Sequence, residues 1–163
     1  MRTFLLTVFA FFLTLSAASA GQLWTATGSA GTIDPANISN AAIGTSSVGY
    51  ASSSSSTSPI GVRYNVTLDD TTSPTWSHIE ILANDAGLTN GVTATLYGVN
   101  RTTGAVTLLA GVGSTGSTST QAYSFSIGTS ITFDFTNNYY VIKASLVRTS
   151  TSNFPTLQGV RLY

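Results

Sequence analysis

The feature that most constrains the fold is an alternation of apolar and polar residues in the C-terminal two thirds of the chain. In the stretch IGVRYNVTL (60–68), Val62, Tyr64, Val66 and Leu68 alternate with small, charged or polar residues. Successive side chains of a β-strand point to opposite faces, so this period of two predicts a strand with one buried face. Strands of this kind are typical of antiparallel sheets that pack one side on a core.

Further segments of the same region also predict strands. AYSFSI and ITFDF alternate strictly, and five other segments are rich in β-branched and aromatic residues. Residues predicted to face inward in the two strict segments are Tyr123, Phe125, Ile127, Ile131, Phe133 and Phe135. Predicted turns separate the segments at 69–74, 84–91, 100–104, 128–130 and 136–138. The pattern predicts an all-β, antiparallel β-sandwich, jelly-roll-like, with about eight to nine strands.

The first twenty residues differ from the rest of the chain. One positive charge at Arg2 precedes an apolar run at 4–15 and small residues that end at Ala20, the pattern of a secretory signal peptide. A run of this length would span about 18 Å as a helix, short of a ~30 Å hydrocarbon core. We therefore predict a signal peptide at 1–20 and no membrane span after cleavage. The product is expected to be secreted, extracellular or on the cell surface, or periplasmic in a bacterium.

The N-terminal segment 21–58 is rich in Ser, Thr and Gly and lacks the alternation of the later segments. One strand is predicted at 21–28. A short helix is predicted within 33–44, with Asp34 as its N-cap, a proline in its first turn and Gly44 at its end.

The Ser-rich stretch 51–59 has nothing to bury, and we expect it to be exposed and mobile. The strands after it form the predicted β-sandwich core, at 59–163. The segment 21–58 is expected to pack on this core, so that both parts form one domain.

Composition excludes several classes of protein. The sequence has no cysteine, which excludes disulfides, thiolate nucleophiles and Cys-based metal sites. Only 7% of the residues are charged, and the basic ones are scattered. Nucleic acids and anionic lipids are bound by clustered Lys and Arg, so neither is expected as a partner. Self-association and binding to an extracellular polysaccharide remain open, because a weakly charged surface does little to keep copies apart.

One motif resembles a nucleotide-binding turn. Gly111, Gly113 and Gly116 have the spacing of the dinucleotide fingerprint, which requires a helix after the third glycine to hold the pyrophosphate. The residues after Gly116 are Ser, Thr and Gly, followed by a strict alternation that predicts a strand. We therefore predict a hairpin corner and no cofactor.

Few polar residues form a candidate catalytic or metal site. His78 and Glu80 lie on one face of a predicted strand, and we expect a solvated polar pair there. Glu80 together with Asp134 is the pair considered for a carboxylate-dependent glycosidase. Asp69-Asp70 and Asn84-Asp85 lie in turns where oxygens could surround Ca²⁺, but neither has a calcium-binding pattern. The sequence predicts no metal and no enzyme, with structural calcium left open.

Aromatic residues carry the remaining functional signal. Trp24, Trp76, Tyr97 and Tyr139 could offer flat faces to a sugar ring, although aromatics in a sandwich more often belong to the core. We expect a secreted, non-catalytic structural, surface or assembly subunit. A carbohydrate-binding module is the alternative, and a glycosidase is a distant third.

The last segment, TLQGVRLY, remains strand-like up to the final residue. A frayed terminus would be polar, so this segment is predicted to pair in a sheet. Pairing within its own sandwich is favoured over donation to a neighbouring copy, because sequence-adjacent antiparallel strands usually pair.

Overall fold

The computed structural model of the chain describes residues 23–68 and 73–163. The predicted signal peptide at 1–20 lies outside the described residues, as do Asp69 and Asp70. No helix within the described part is long and apolar enough to cross a membrane. The described residues form eleven strands: β1 (Trp24–Thr27), β2 (Thr32–Ile33), β3 (Ala41–Ile43), β4 (Val48–Tyr50), β5 (Ile60–Val66), β6 (Thr75–Asn84), β7 (Thr89–Asn100), β8 (Val106–Thr115), β9 (Gln121–Thr132), β10 (Asn138–Leu146) and β11 (Thr156–Leu162).

These strands form two antiparallel sheets packed as a sandwich, which confirms the predicted fold class. Sheet A has the strand order β3-β4-β11-β6-β9, and β1 also pairs with β11. Sheet B has the order β2-β5-β10-β7-β8. The inner faces of both sheets contribute fully buried residues such as Ile81 of β6 and Ile142 of β10. Their outer faces alternate with these positions, as the period of two requires.

The number of strands differs from the predicted eight to nine for two reasons. Strands β2, β3 and β4 are two or three residues long and therefore too short to show an alternation. In addition, the two strict segments at 122–127 and 131–135 are not separate strands joined by a turn, because β9 runs through the first and into the second. Gly128 has a φ of 84°, and the register against β6 shifts between Trp76 and His78. The predicted turn at 128–130 is therefore an irregularity within a strand.

One predicted core residue lies at the surface. Tyr123 and Phe133 are buried and Ile127 packs against the core, but Phe125 is 54% exposed, so the prediction that it is buried is wrong. Its cross-strand partner Ile79 is fully buried, which puts Phe125 on the inner side of sheet A. Because β9 is the outermost strand of sheet A within the described residues, Phe125 lies at the open edge of the sandwich.

Short elements of the N-terminal segment join both sheets: β1, β3 and β4 belong to sheet A, and β2 belongs to sheet B. A 3-10 helix covers Pro35–Asn40, and the Asp34 side chain accepts a hydrogen bond from the Ala36 amide at its start. This helix ends before Gly44, because the three residues of β3 pair with β4 instead. The division of the chain near residue 58 stays a prediction.

The Ser-rich stretch 51–59 is held by a buried arginine. Arg148 is 2% exposed and donates hydrogen bonds to the backbone carbonyls of Ser54, at 2.6 Å, and Ser56, at 2.9 Å. Its guanidinium also lies 4.2 Å from the ring centroid of Tyr50. The serine-rich composition gives no sign of this anchor, because the acceptors are main-chain carbonyls.

The C-terminal strand pairs within its own chain, as the sequence favours. Strand β11 pairs with β6 along one edge and with β4 and β1 along the other. It therefore lies inside sheet A, and Val160 and Leu162 are buried.

Candidate functional site

The four aromatic residues predicted as possible ligand contacts are divided between core and surface. Trp76 is completely buried and packs edge-on against Phe133, with ring centroids 4.3 Å apart, and Trp24 is also buried. Rings enclosed in this way have no face for a ligand. Tyr97 and Tyr139 lie instead on the outer face of sheet B, where Tyr139 is 57% exposed and Tyr97 is half-buried.

Register in sheet B brings these two tyrosines together. Tyr139 of β10 pairs with Val99 of β7, and Val141 of β10 pairs with Tyr97 of β7. Tyr97 and Tyr139 are therefore diagonal neighbours on adjacent strands, a relation in which Cα atoms are about 7–8 Å apart and long side chains still meet. Both rings belong to one continuous surface.

This surface is apolar across three neighbouring strands. Strand β8 adds Leu108, which pairs with Tyr97 and is 64% exposed, and Val106, which pairs with Val99 and is 62% exposed. We call the resulting patch the tyrosine face; its members are Tyr97, Val99, Val106, Leu108, Tyr139 and Val141. Contiguous apolar side chains of this kind make the patch a candidate interaction surface.

A shallow depression of about 490 Å³ lies at the Tyr139 end of the tyrosine face. Asn65 and Thr67 line it together with Tyr139 and Val141. These residues supply an amide, a hydroxyl and two apolar surfaces. This combination suits a ligand that has both hydroxyl groups and apolar C–H faces.

Each tyrosine of the face is accompanied by a cation. The Lys143 ammonium lies 5.1 Å from the ring centroid of Tyr97, and the Arg101 guanidinium lies 4.8 Å from that of Tyr139. These are cation–π contacts, which hold the rings in place. Arg101 is itself fixed by donating to the backbone carbonyl of Thr136 at 3.0 Å.

His78 and Glu80 lie on the outer face of sheet A, on the other side of the molecule. Glu80 forms an ion pair with Arg161 at 2.8 Å, and the His78 ring stacks on Tyr163 with centroids 5.0 Å apart. His78 and Glu80 share this face but have separate partners, and the Glu80 side chain is only 12% exposed, so they do not form the solvated pair that the sequence predicts.

Glu80 and Asp134 are far apart. Glu80 lies five residues along β6 from Thr75, which pairs with Thr132, and Asp134 follows two residues later. At ~3.3 Å per residue the separation is about 20 Å, whereas glycosidase carboxyl groups lie about 5–9.5 Å apart. Asp134 instead closes its own turn by accepting hydrogen bonds from the amides of Thr136 and Asn137. These two carboxylates therefore do not form a glycosidase pair.

The glycine motif does not form the predicted hairpin corner, because β8 pairs with β7 in sheet B and β9 pairs with β6 in sheet A. The segment around Gly116 instead crosses from one sheet to the other. Gly111 and Gly113 lie within β8, Gly116 lies just beyond it with a φ of 91°, and β9 follows without a helix. The Gly116 amide donates to the Asp85 carboxylate at 2.7 Å. The Gly116 N–H therefore donates its hydrogen bond to a carboxylate of the chain, and it is not available to a bound phosphate.

Asp85 is fully buried in the turn between β6 and β7. It also accepts hydrogen bonds from the Gly87 amide at 3.0 Å, the Ser117 amide and the Tyr123 hydroxyl at 3.1 Å. Burial opposes ionisation, but these bonds and those of its other neighbours outweigh it and hold the pKa of Asp85 below its ordinary value. No group of three or more potential metal-ligating side chains occurs within 23–68 and 73–163.

Sequence reasoning missed the residues that surround the two tyrosines. Lys143 and Val141 have the same strand parity as Tyr139, so the face could have been recognised from the order Tyr139, Val141, Lys143. Leu108 gave no such signal, because a register shift in β8 breaks the alternation near it.

No protein-family model matches the chain, and no curated protein sequence matches it. Similar solved structures include a family two carbohydrate esterase from Cellvibrio japonicus, with 11% identity, 87% of this chain and 33% of that chain covered, and a TM-score of 0.44. This chain thus spans about a third of the esterase's length. A low-affinity xylan-binding module of family 86 from Roseburia intestinalis has 12% identity, coverages of 88% and 96%, and a TM-score of 0.46. A xylan-binding module of family 15 has 8% identity, coverages of 87% and 95%, and a TM-score of 0.47. These values describe a similar architecture only. Any argument about a ligand of this chain has to come from its own residues.

Proposed function

We propose that this protein is a non-catalytic carbohydrate-binding module that binds a polysaccharide chain across the tyrosine face. The observation that carries the proposal is the diagonal pair Tyr97 and Tyr139 on the outer face of sheet B, where Tyr139 is 57% exposed. The apolar face of a pyranose can stack on a tyrosine ring, and the sugar hydroxyls can bond to nearby amides and hydroxyls. The predicted secretion would bring this face into contact with extracellular polysaccharide.

The shape of the site also favours a chain over a small molecule. The tyrosine face extends over β10, β7 and β8, about 10 Å across at ~4.8 Å per strand, and it is open at its sides. A ligand on such a surface is covered on one side only, so affinity must come from several weak contacts in a row. A polymer with repeated sugar units supplies them.

Alanine substitution of the tyrosines tests the proposal. Covering about 50 Å² of ring at ~25 cal/mol/Å² contributes roughly 1.2 kcal/mol, or about eightfold in affinity per tyrosine. We expect Tyr97→Ala and Tyr139→Ala each to lower affinity for the bound polysaccharide by this factor, in calorimetric titrations and affinity gels with a panel of plant and microbial polysaccharides.

Tyr163→Ala is the matched control, since Tyr163 is an exposed tyrosine on the outer face of sheet A. It should bind the polysaccharide as the unmodified protein does. Absence of binding to every member of the panel, or equal affinities in Tyr97→Ala, Tyr139→Ala and the unmodified protein, would refute the proposal.

A second candidate function, assembly of several copies, is favoured by a different observation. Strands β8 and β9 are the outermost strands of their sheets at one side of the sandwich, as far as the described residues go, and Phe125 of β9 is 54% exposed. Exposed strand edges with apolar side chains are sites of edge-to-edge pairing. Sedimentation velocity tests this: concentration-dependent oligomers that Phe125→Lys abolishes would support assembly. A monomer at every concentration up to about 0.5 mM, well above ordinary dissociation constants, would exclude it.

A further inference from the structure

The cations of sheet B's outer face are arranged in an unusual way. Lys143 of β10 and Arg63 of β5 are direct cross-strand partners on this face. Cβ atoms of such partners lie about 4.5–5.5 Å apart, and like charges there destabilise a sheet. The chain has only six Lys and Arg residues, and Lys143 is its one lysine. Composition therefore does not explain why two of them face each other.

The carboxylates of the described residues compensate the positive charges of Lys143 and Arg63 only in part. Arg63 pairs with Asp34 at 3.3 Å, but both side chains are substantially exposed, so the pair is weak. Lys143 has no carboxylate within ion-pair distance among the residues that the structure describes. Its ammonium lies instead over the ring of Tyr97. Counting only the described residues, the centre of the face therefore keeps a positive charge without a carboxylate partner, beside an aromatic ring.

We propose that the polysaccharide bound by the tyrosine face is anionic, and that a carboxylate or sulfate group on its sugar units binds between Lys143 and Arg63. This inference rests on the proposed function and specifies its ligand. A ring stacked beside Tyr97 brings its charged substituent next to the Lys143 ammonium, and the Arg63 guanidinium can bind two oxygens of the same group. Thr95, the cross-strand partner of Lys143 on its other side, adds a hydroxyl.

The second tyrosine has the same arrangement. Arg101 lies over Tyr139, so a neighbouring sugar unit would also meet a ring together with a cation. Repetition of this pairing fits a polymer in which charged sugar units recur. Nucleic acid fits less well, because two or three cations neutralise too few phosphates for useful affinity at physiological salt.

Saccharides that carry a carboxylate, a sulfate or no charged group test the inference. Oligogalacturonides carry carboxylates, their methyl-esterified forms are neutral, and sulfated galactan oligosaccharides carry sulfate without carboxylate. We expect calorimetry at low salt to give at least ~5-fold tighter binding of one anionic form than of the neutral ester, since charge-assisted hydrogen bonds are roughly twice as strong as neutral ones. The tighter of the two anionic probes identifies the group.

Substitution of Lys143 supplies the decisive comparison. Lys143→Gln should remove most of the preference for the anionic form, and Lys143→Arg should keep it. Acetylation of the protein, which reaches no other lysine side chain, should act like the glutamine variant without any change of sequence. Thermal melts of both variants check that the exposed position leaves folding intact.

Results that would overturn only the inference can be distinguished from results that would also overturn the proposed function. Equal affinity for the neutral ester and the anionic forms, with the tyrosine dependence intact, leaves a carbohydrate-binding module and refutes the anionic ligand. A charge preference that survives Lys143→Gln also refutes it. Tighter binding of oligothymidylate than of any saccharide would refute both proposals, as would binding of no saccharide at all.

Discussion

Replacing Asp85 with Asn should destabilise the protein by an amount that its hydrogen bonds define. Oδ1 accepts from the amides of Gly87 and Ser117, and Oδ2 accepts from the Gly116 amide and the Tyr123 hydroxyl. Asparagine keeps one acceptor oxygen and puts an NH₂ group where the other was. The tyrosine hydroxyl can turn to accept from that group, but the Gly116 N–H cannot.

Two effects set the loss in unfolding free energy of Asp85→Asn: the Gly116 N–H loses its acceptor, and the remaining acceptor oxygen loses its charge. A buried N–H without an acceptor costs about 1–3 kcal/mol, and loss of the charge weakens each of the two remaining amide bonds by about 1 kcal/mol. The sum is about 3–5 kcal/mol, a large part of the ~5–15 kcal/mol of an ordinary domain. At a urea slope of ~2 kcal/mol/M, the unfolding midpoint of Asp85→Asn should lie about 2 M lower.

The pH dependence gives an independent check on the same residue. Because the folded pKa of Asp85 lies below its ordinary value, the stabilisation by its charge is present above the unfolded pKa of about 3.9 and is lost as the pH falls through the folded pKa. The gap in unfolding free energy between the unmodified protein and Asp85→Asn should therefore narrow in acid.

Asp134→Asn is the matched control, because Asp134 caps an exposed turn that asparagine also suits. Its urea midpoint should equal that of the unmodified protein within error. If Asp85→Asn lowers the free energy of unfolding by less than about 0.5 kcal/mol, the range of ordinary surface changes, the carboxylate does not stabilise the contact between the β6–β7 turn and the β8–β9 connection.

Three further predictions concern the core and the turns. Gly113→Ala and Gly116→Ala should lower the urea midpoint without creating or removing nucleotide affinity, because a Cβ at Gly113 would lie 2.2 Å from Asn90 Oδ1 and Gly116 has a positive φ; a micromolar titration signal with NAD or ATP in the unmodified protein would contradict the second half. Phe133→Ala should cost about 3–5 kcal/mol in denaturant melts, whereas Phe125→Ala should cost much less because its ring is exposed; the reverse ranking would mean that the register of β9 is wrong. Deletion of residues 159–163 should abolish folding, since it removes most of an interior strand; a truncated chain with a cooperative melt would contradict this.

Turns and strand segments followed from local sequence. The turns at 84–91, 100–104 and 136–138 lie where clusters of Asn, Gly and Thr predicted them. The strand after Gly116 was predictable from its alternation, and this alternation alone argues against a nucleotide site, because it leaves no helix to hold a pyrophosphate. Such features depend on neighbouring residues alone, so a single sequence contains the information.

Which aromatic residues are exposed could be recognised only in the tertiary structure. In the run Tyr139, Tyr140, Val141, Ile142, alternation separates two faces, but both faces are apolar, so the pattern does not say which one meets the core. Likewise, nothing local distinguishes Phe125 at a sheet edge from Phe133 in the interior. The longer strands, most of the turns and the sandwich class could be predicted from the sequence alone, because these features follow from the period of side chains along one strand. The order of the strands and their register had to come from the fold, and so did the tyrosines and cations that share the outer face of sheet B, because these relations join segments far apart in the chain.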